Sequence, residues 1–310
     1  METDLITLSL AHSPDSDDLV MWWPLTGMRG PEGVPVEGAL GRPAIDTGRF
    51  RFETVGRDVE ELNKLVVGET TPVGAYDITA ISCAAYPFIA DRYAITRSGG
   101  SFGEGYGPKV VVRGDSSVRT VEGLRGKRVG VPGVRTSAFL TLSLMLSGFE
   151  HREMLFSEIP GAVDRGEVDA GLLIHEAQLT FEDQGLRAVA DVGVWWGAQT
   201  GMPLPLGLNV VRRDLDERHG AGTVAEVASM LSASIRHAVE HADESHRFLL
   251  LNAGDRTEWE DRALVDKYLS MYVSALTLDL GDRGERAIRE LLSRGSAAGV
   301  VPPCDRIDPV

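Results

Sequence analysis

Short apolar segments alternate with helix-patterned ones along most of this chain, and two glycine- and proline-rich breaks, near Pro108 and near Pro203, interrupt that alternation. Such alternation specifies an α/β fold, because each helix carries the chain back to start a strand parallel to the last. The block between the breaks has its own strand–helix–strand pattern. The simplest arrangement is a discontinuous first domain, residues 1–108 with 206–310, and an inserted second domain, 109–205. Two crossing strands then form a hinge, with the ligand cleft between the lobes. A chain of 310 residues is long enough for two cores of ordinary size.

The patterns predict strands at residues 5–11, 50–55, 77–81, 109–113, 127–131, 154–159, 171–174, 186–192 and 206–211. Helices are expected at 17–25, 58–67, 82–89 and 136–147, with a helical turn at 162–167. Four more follow at 222–241, 243–252, 257–275 and 283–294. Residues 27–49 show no period and read as a loop or lid, and five glycines within 97–108 read as a flexible connection. The whole is the bilobal plan of solute-binding proteins, which close by hinge motion on a ligand.

Composition removes several classes of function. Hydrophobic residues make up 43% and charged residues 25%, the balance of a soluble globular chain. No apolar run approaches the roughly 20 residues that span a bilayer. The acidic start, Met1-Glu-Thr-Asp-Leu5, lacks the basic region of a signal peptide, so a cytoplasmic location is expected. A net charge of −15 disfavours nucleic acid and anionic membrane as partners. The same charge gives an anionic small molecule no help from the overall field, so local donors must hold it. Cys83, one of two distant cysteines, sits in an apolar run as a buried thiol. Nothing predicts the oligomeric state. No phosphate loop, zinc motif or nucleophile elbow is present, and the glycines at 99–107 precede a strand, which fails the dinucleotide pattern.

The run Gly166-Glu-Val-Asp-Ala-Gly-Leu-Leu-Ile-His-Glu-Ala-Gln-Leu-Thr180 reads as a helix end, a short buried strand and a polar strand end bearing His175 and Glu176. Ligands of open α/β sheets sit outside the carboxyl ends of strands, and histidine exchanges protons near neutral pH. His175 is therefore the first candidate for a catalytic base. His12, at the end of the first strand, is its one rival; His219, His237, His241 and His246 lie in polar contexts and read as solvated. In Pro132-Gly-Val-Arg-Thr-Ser-Ala138, Thr136 or Ser137 can cap the next helix, whose free N–H groups suit an anion. Ser13, Asp15, Ser16, Asp17 and Asp18 occupy the equivalent place after the first strand. Asp15 or Ser16 is a natural N-cap there, Ser13 and Asp17 are candidate substrate contacts, and the spacing is not that of a cation loop. Trp22, Trp23, Trp195 and Trp196 read as core or lobe-interface packing.

Several blocks together resemble the 1,4-dihydroxy-6-naphthoate synthase family of menaquinone biosynthesis. These are Arg97-Ser-Gly-Gly with Gly-x-Gly-Pro108, the Pro-Gly-x-x-Thr-Ser-Ala138 turn, and Gly-Glu-Val-Asp-Ala-Gly-Leu-Leu-Ile-His-Glu176. Val192-Gly-Val-Trp-Trp196 and Thr-Gly-Met-Pro-Leu-Pro-Leu-Gly207 complete the set. The resemblance runs from about Asp77 to Asp214. It implies a periplasmic-binding-protein fold of type II and cleavage of cyclic dehypoxanthinylfutalosine with neither metal nor redox cofactor. It also implies His175 as base, with substrate contacts at Ala80, Ile81 and Ser82 and at Ser137 and Ala138. The family reads Ser-Pro-Cys-Pro-Asn-Asp where this chain has Ser13-Pro-Asp-Ser-Asp-Asp18, and carries a lysine where this chain has Ala80. Losing a cation and gaining carboxylates suits a carboxylate-bearing substrate less well. Two other readings stay open: a chorismate dehydratase-like lyase, and a non-catalytic cytoplasmic binder of the same fold.

Overall fold

The computed structural model describes residues 5–70, 76–175, 177–254, 256 and 259–310. Strand β1 (Ile6–His12) leads into two short helices, α1 (Ser16–Val20) and α2 (Trp23–Thr26), where one helix was expected. Pro24, which has no N–H to continue a helical ladder, opens the second of them. After the 27–49 segment come β2 (Phe50–Gly56), α3 (Val59–Val67) and β3 (Ile78–Ser82). The expected helix after β3 is a 3-10 stretch over Cys83–Phe88, followed by β4 (Tyr93–Ile95) and β5 (Ser101–Gly103). The glycine-rich connection is thus partly strand, held by pairing with a later element.

The middle of the chain gives β6 (Lys109–Arg113), β7 (Arg128–Val131), α4 (Ser137–Met145), β8 (Glu150–Glu153), α5 (Ile159–Asp164) and β9 (Ala170–Leu173). No strand forms at 154–159. The strand lies just before it, in four exposed residues of an edge strand that carry no apolar signal. Then come α6 (Ala177–Thr180), β10 (Leu186–Asp191), α7 (Val192–Thr200) and β11 (Leu204–Arg212). Helix α7 was not foreseen, although Asp191 caps it by accepting from the N–H groups of Gly193 and Val194, and Gly201 closes it at φ +69°. Pro205 does not end a segment; it lies inside β11 where the register against β5 shifts. The remainder is helical: α8 (Leu215–His219), α9 (Thr223–Glu240), α10 (Ala242–Leu251), α11 (Arg262–Tyr272), α12 (Ala275–Leu278) and α13 (Gly281–Ala297). The helix expected from 257 begins, among the described residues, at Arg262. Glu176 lies outside the described residues.

Two mixed sheets result. The first runs β2-β1-β3-β11-β4 with β5 also on β11; the second runs β10-β6-β9-β7-β8. In the first, β1 is parallel to β2 and β3; in the second, β7 is parallel to β8 and β9. The carboxyl ends of β1, β3, β7 and β9 all open on one cleft, the position that parallel α/β sheets reserve for ligands. The chain passes between the sheets after β5 and again before β11. The two passages cross with main chain on main chain: a Cβ at Gly107 would stand 2.7 Å from the Gly193 nitrogen, and one at Gly193 would overlap the Tyr106 carbonyl. Only glycine fits both places. Val192 N–H donates to the Pro108 carbonyl at the same crossing.

One apolar cluster draws on both sheets, with Trp196 fully buried in it and its Nε1–H donating to the Pro203 carbonyl. Trp22 packs under the first sheet, and Trp23 closes over Met28 and Phe248. None of Trp22, Trp23, Trp195 and Trp196 lines the cleft, and no part of 27–49 reaches it. Cys83 is fully buried, and burial pushes its thiol well up. No helix among the described residues is long and apolar enough to cross a membrane.

Candidate active site

The cleft is open at its mouth and encloses about 710 Å³ of empty space when the solvent at that mouth is counted. His175, Ala80, Ile81, Ser82, Thr136, Ser137, Ala138, Ser13 and Asp17 all line it, drawn from four strand ends in two sheets. His12 does not. Its ring is buried, with Nδ1 donating to the Ser13 carbonyl, and burial holds its pKa down.

His175 follows β9 with φ +55°, the single positive φ among the described non-glycine residues. Such a backbone persists only where the surroundings impose it. Its Nδ1 lies 2.6 Å from Asp15 Oδ2, and Phe156 meets the ring edge-on at 4.7 Å. Asp15 has the extended backbone of an N-cap for α1, yet its side chain makes no cap bond.

The other two acids of that loop point elsewhere. Asp17 Oδ1 accepts from the Tyr268 hydroxyl, brought in by α11. Asp18 accepts from the Ser13 N–H at 2.5 Å and from Trp22 Nε1 at 3.3 Å. All three carboxylates are buried, and the environments of Asp15 and Asp18 drive those two apart. Burial alone would raise Asp15, but the charge of His175 and the hydrogen bond from its Nδ1 hold it well below the usual carboxylate range. Asp18 goes the other way: burial first, then the charge of Asp15, push it up to about 7.

The opposite wall supplies donors. Thr136, not Ser137, caps α4: its Oγ1 accepts from Phe139 N–H and donates to the Gly133 carbonyl. Ser137 instead ties the two sheets together, donating to the Leu206 carbonyl at 2.7 Å and accepting from Ala84 N–H at 3.2 Å. The first-turn N–H groups of Ser137 and Ala138 have no carbonyl of their own helix to bond. Ser82 is gripped by Asn63, which accepts from its N–H and donates to its Oγ, so this pairing leaves the hydroxyl's own proton to be donated elsewhere. Asn63 is held in turn by Glu60 at 3.1 Å.

No Lys or Arg appears among the described residues of the lining, and Ala80 is part of it. Sequence patterns pointed to neither Tyr268, Gln178 nor Asn209, which the fold adds to the wall. Tyr268 arrives from 251 residues beyond Asp17, and no local pattern announces such a contact.

Two α/β sheets facing each other across a ligand cleft define the periplasmic-binding-protein fold. The alkanesulfonate-binding protein SsuA of Xanthomonas axonopodis aligns over 98% of this chain and 97% of its own (TM-score 0.64), and at 15% identity it speaks to the fold alone. The protein AF1704 of Archaeoglobus fulgidus is nearer, at 36% identity and TM-score 0.79 over 95% of this chain and 98% of its own. Residues 8–297 match the menaquinone biosynthesis family, and the chain belongs to it. It is 35% identical to the 1,4-dihydroxy-6-naphthoate synthase of Thermus thermophilus over 96% of this chain and 97% of the relative. To the enzyme of that name from Streptomyces coelicolor it is 33% identical, over 96% and 95%.

Proposed function

We propose that the protein is a carbon–carbon lyase that converts cyclic dehypoxanthinylfutalosine to 1,4-dihydroxy-6-naphthoate in the cytoplasm, with His175 as general base. The observation that carries this reading is the placement of His175 at the carboxyl end of β9, in the wall of the cleft and bonded through Nδ1. An ionised carboxylate can only accept, so Nδ1 carries the proton and Nε2 is the basic nitrogen. Nε2 takes a proton from the substrate, and the electron pair released starts the fragmentation of the carbon skeleton. The substrate carboxylate is held by neutral donors: the Ser82 hydroxyl and the Ser137 and Ala138 N–H groups at the start of α4. Burial of the site strengthens each of these bonds by excluding water. Residues 1–108 with 206–310 and residues 109–205 act as the two lobes, closing about the crossing at Gly107 and Gly193.

The test is product analysis by mass spectrometry on purified protein, offered cyclic dehypoxanthinylfutalosine and chorismate separately. Dihydroxynaphthoate from the first and no change in the second is the expected result. Dehydration of chorismate would transfer the assignment to that sister reaction, and tight binding without product from either would make the protein a binder.

A further inference from the structure

We propose that Asp15 is the positioning residue for the His175 base, and that the pair is complete only when the two sheets are closed on each other. This rests on the reading of His175 as base and adds what holds that base, and when. Asp15 follows β1 of the first sheet and His175 follows β9 of the second, yet Oδ2 and Nδ1 meet at 2.6 Å. The bond therefore spans the cleft, and separating the sheets breaks it.

Three features show that the contact is built rather than incidental. Asp15 occupies an N-cap position, where an aspartate ordinarily accepts from its own helix, and gives its carboxylate to the imidazole instead. It is 8% exposed, and a carboxylate so buried is costly unless paired and hydrogen-bonded. The His175 backbone stands at φ +55°, and both Asp15 and Phe156 contact its ring there. The depressed pKa of Asp15 agrees with a standing charge at this place.

In the closed form the ring has one tautomer and one orientation, with its basic nitrogen turned from Asp15. In an open form the neutral ring is free to exchange tautomers. Proton abstraction then waits for closure, which is also when water leaves. Among the described residues, the other titratable groups around the pair include Asp17 and Asp18 of α1, His12 at the end of β1, and Tyr268 of α11.

The test compares Asp15→Asn, His175→Ala and the parent enzyme on cyclic dehypoxanthinylfutalosine across pH. Asp15→Asn is expected to lose about 10²-fold in kcat with KM changed only a few-fold. It should also move the acidic limb of kcat/KM to lower pH, because removing the neighbouring negative charge disfavours the imidazolium. A structural role alone lowers the folded fraction and leaves that limb in place. Full kcat with an unmoved limb in Asp15→Asn, beside an inactive His175→Ala, overturns this inference and leaves the base standing; an active His175→Ala overturns both. Should Asp15→Asn fail to fold, ¹⁵N NMR of the parent with product bound decides. A neutral His175 protonated at Nδ1 supports the pairing, and one protonated at Nε2 refutes it.

Discussion

Replacing Glu60 with Gln is expected to stabilise the protein at neutral pH and above, and to weaken it slightly in acid. Glu60 lies on α3 and is 5% exposed, reaching the second sheet's β7–α4 turn by accepting from Arg135 N–H at 3.2 Å. Burial raises its pKa from 4.5 to about 7, against the bonds from Asn63 and Arg135 and the charge of Lys64. The folded protein thus keeps this proton while the unfolded chain has already lost it. Its contribution is most favourable below the unfolded value of 4.5 and falls as pH rises, levelling off above about 7. At about 1.4 kcal/mol per unit, the interval is worth about 3 kcal/mol. Glutamine has no such titration, but its single oxygen serves only one of the two donors, a loss of about 1 kcal/mol. The variant should therefore gain about 2 kcal/mol above pH ~7.5 and lose about 1 kcal/mol near pH ~4.5. Urea unfolding of both proteins at a series of pH values reads the difference. Stability curves that stay parallel from acid to neutral pH would show that Glu60 titrates normally in the fold, and the argument from burial would fail.

Gly193→Ala places a methyl against the Tyr106 carbonyl, where both partners are main chain. It should cost more than about 2 kcal/mol. Gly197→Ala, in the same helix and facing open space, should be neutral or stabilising by up to about 1 kcal/mol; equal effects in denaturant titrations would argue against a crossing built on glycine. Trp196→Ala empties a fully buried site and removes the bond to the Pro203 carbonyl, and should cost about 3–5 kcal/mol in the same titrations. A cost below about 1 kcal/mol would mean that the core collapses around it.

The buried strands β3, β6 and β9 were legible because burial on both faces leaves a mark in the residues themselves. The edge strand β8, entirely exposed, left none. Helix α7 carried its signal in Asp191 and Gly201, but its apolar run reads equally as strand. At the site, strand-end logic pointed to His175 and the 136–138 turn, because a strand end in an α/β sheet has a known direction, whereas Ser82 came only from the family resemblance. It found the acids after β1 without finding what they do. Whether Asp15 caps a helix or crosses a cleft depends on the packing of two sheets, and no local spacing encodes that.

The central claim is that His175 is the base in this cleft. The most direct measurement is turnover of cyclic dehypoxanthinylfutalosine by the parent and by His175→Ala, with circular dichroism and ligand binding showing that the variant is folded and its cleft intact. The account predicts dihydroxynaphthoate from the parent and none from the variant, although the variant still binds. Near-parental turnover by folded His175→Ala would contradict it.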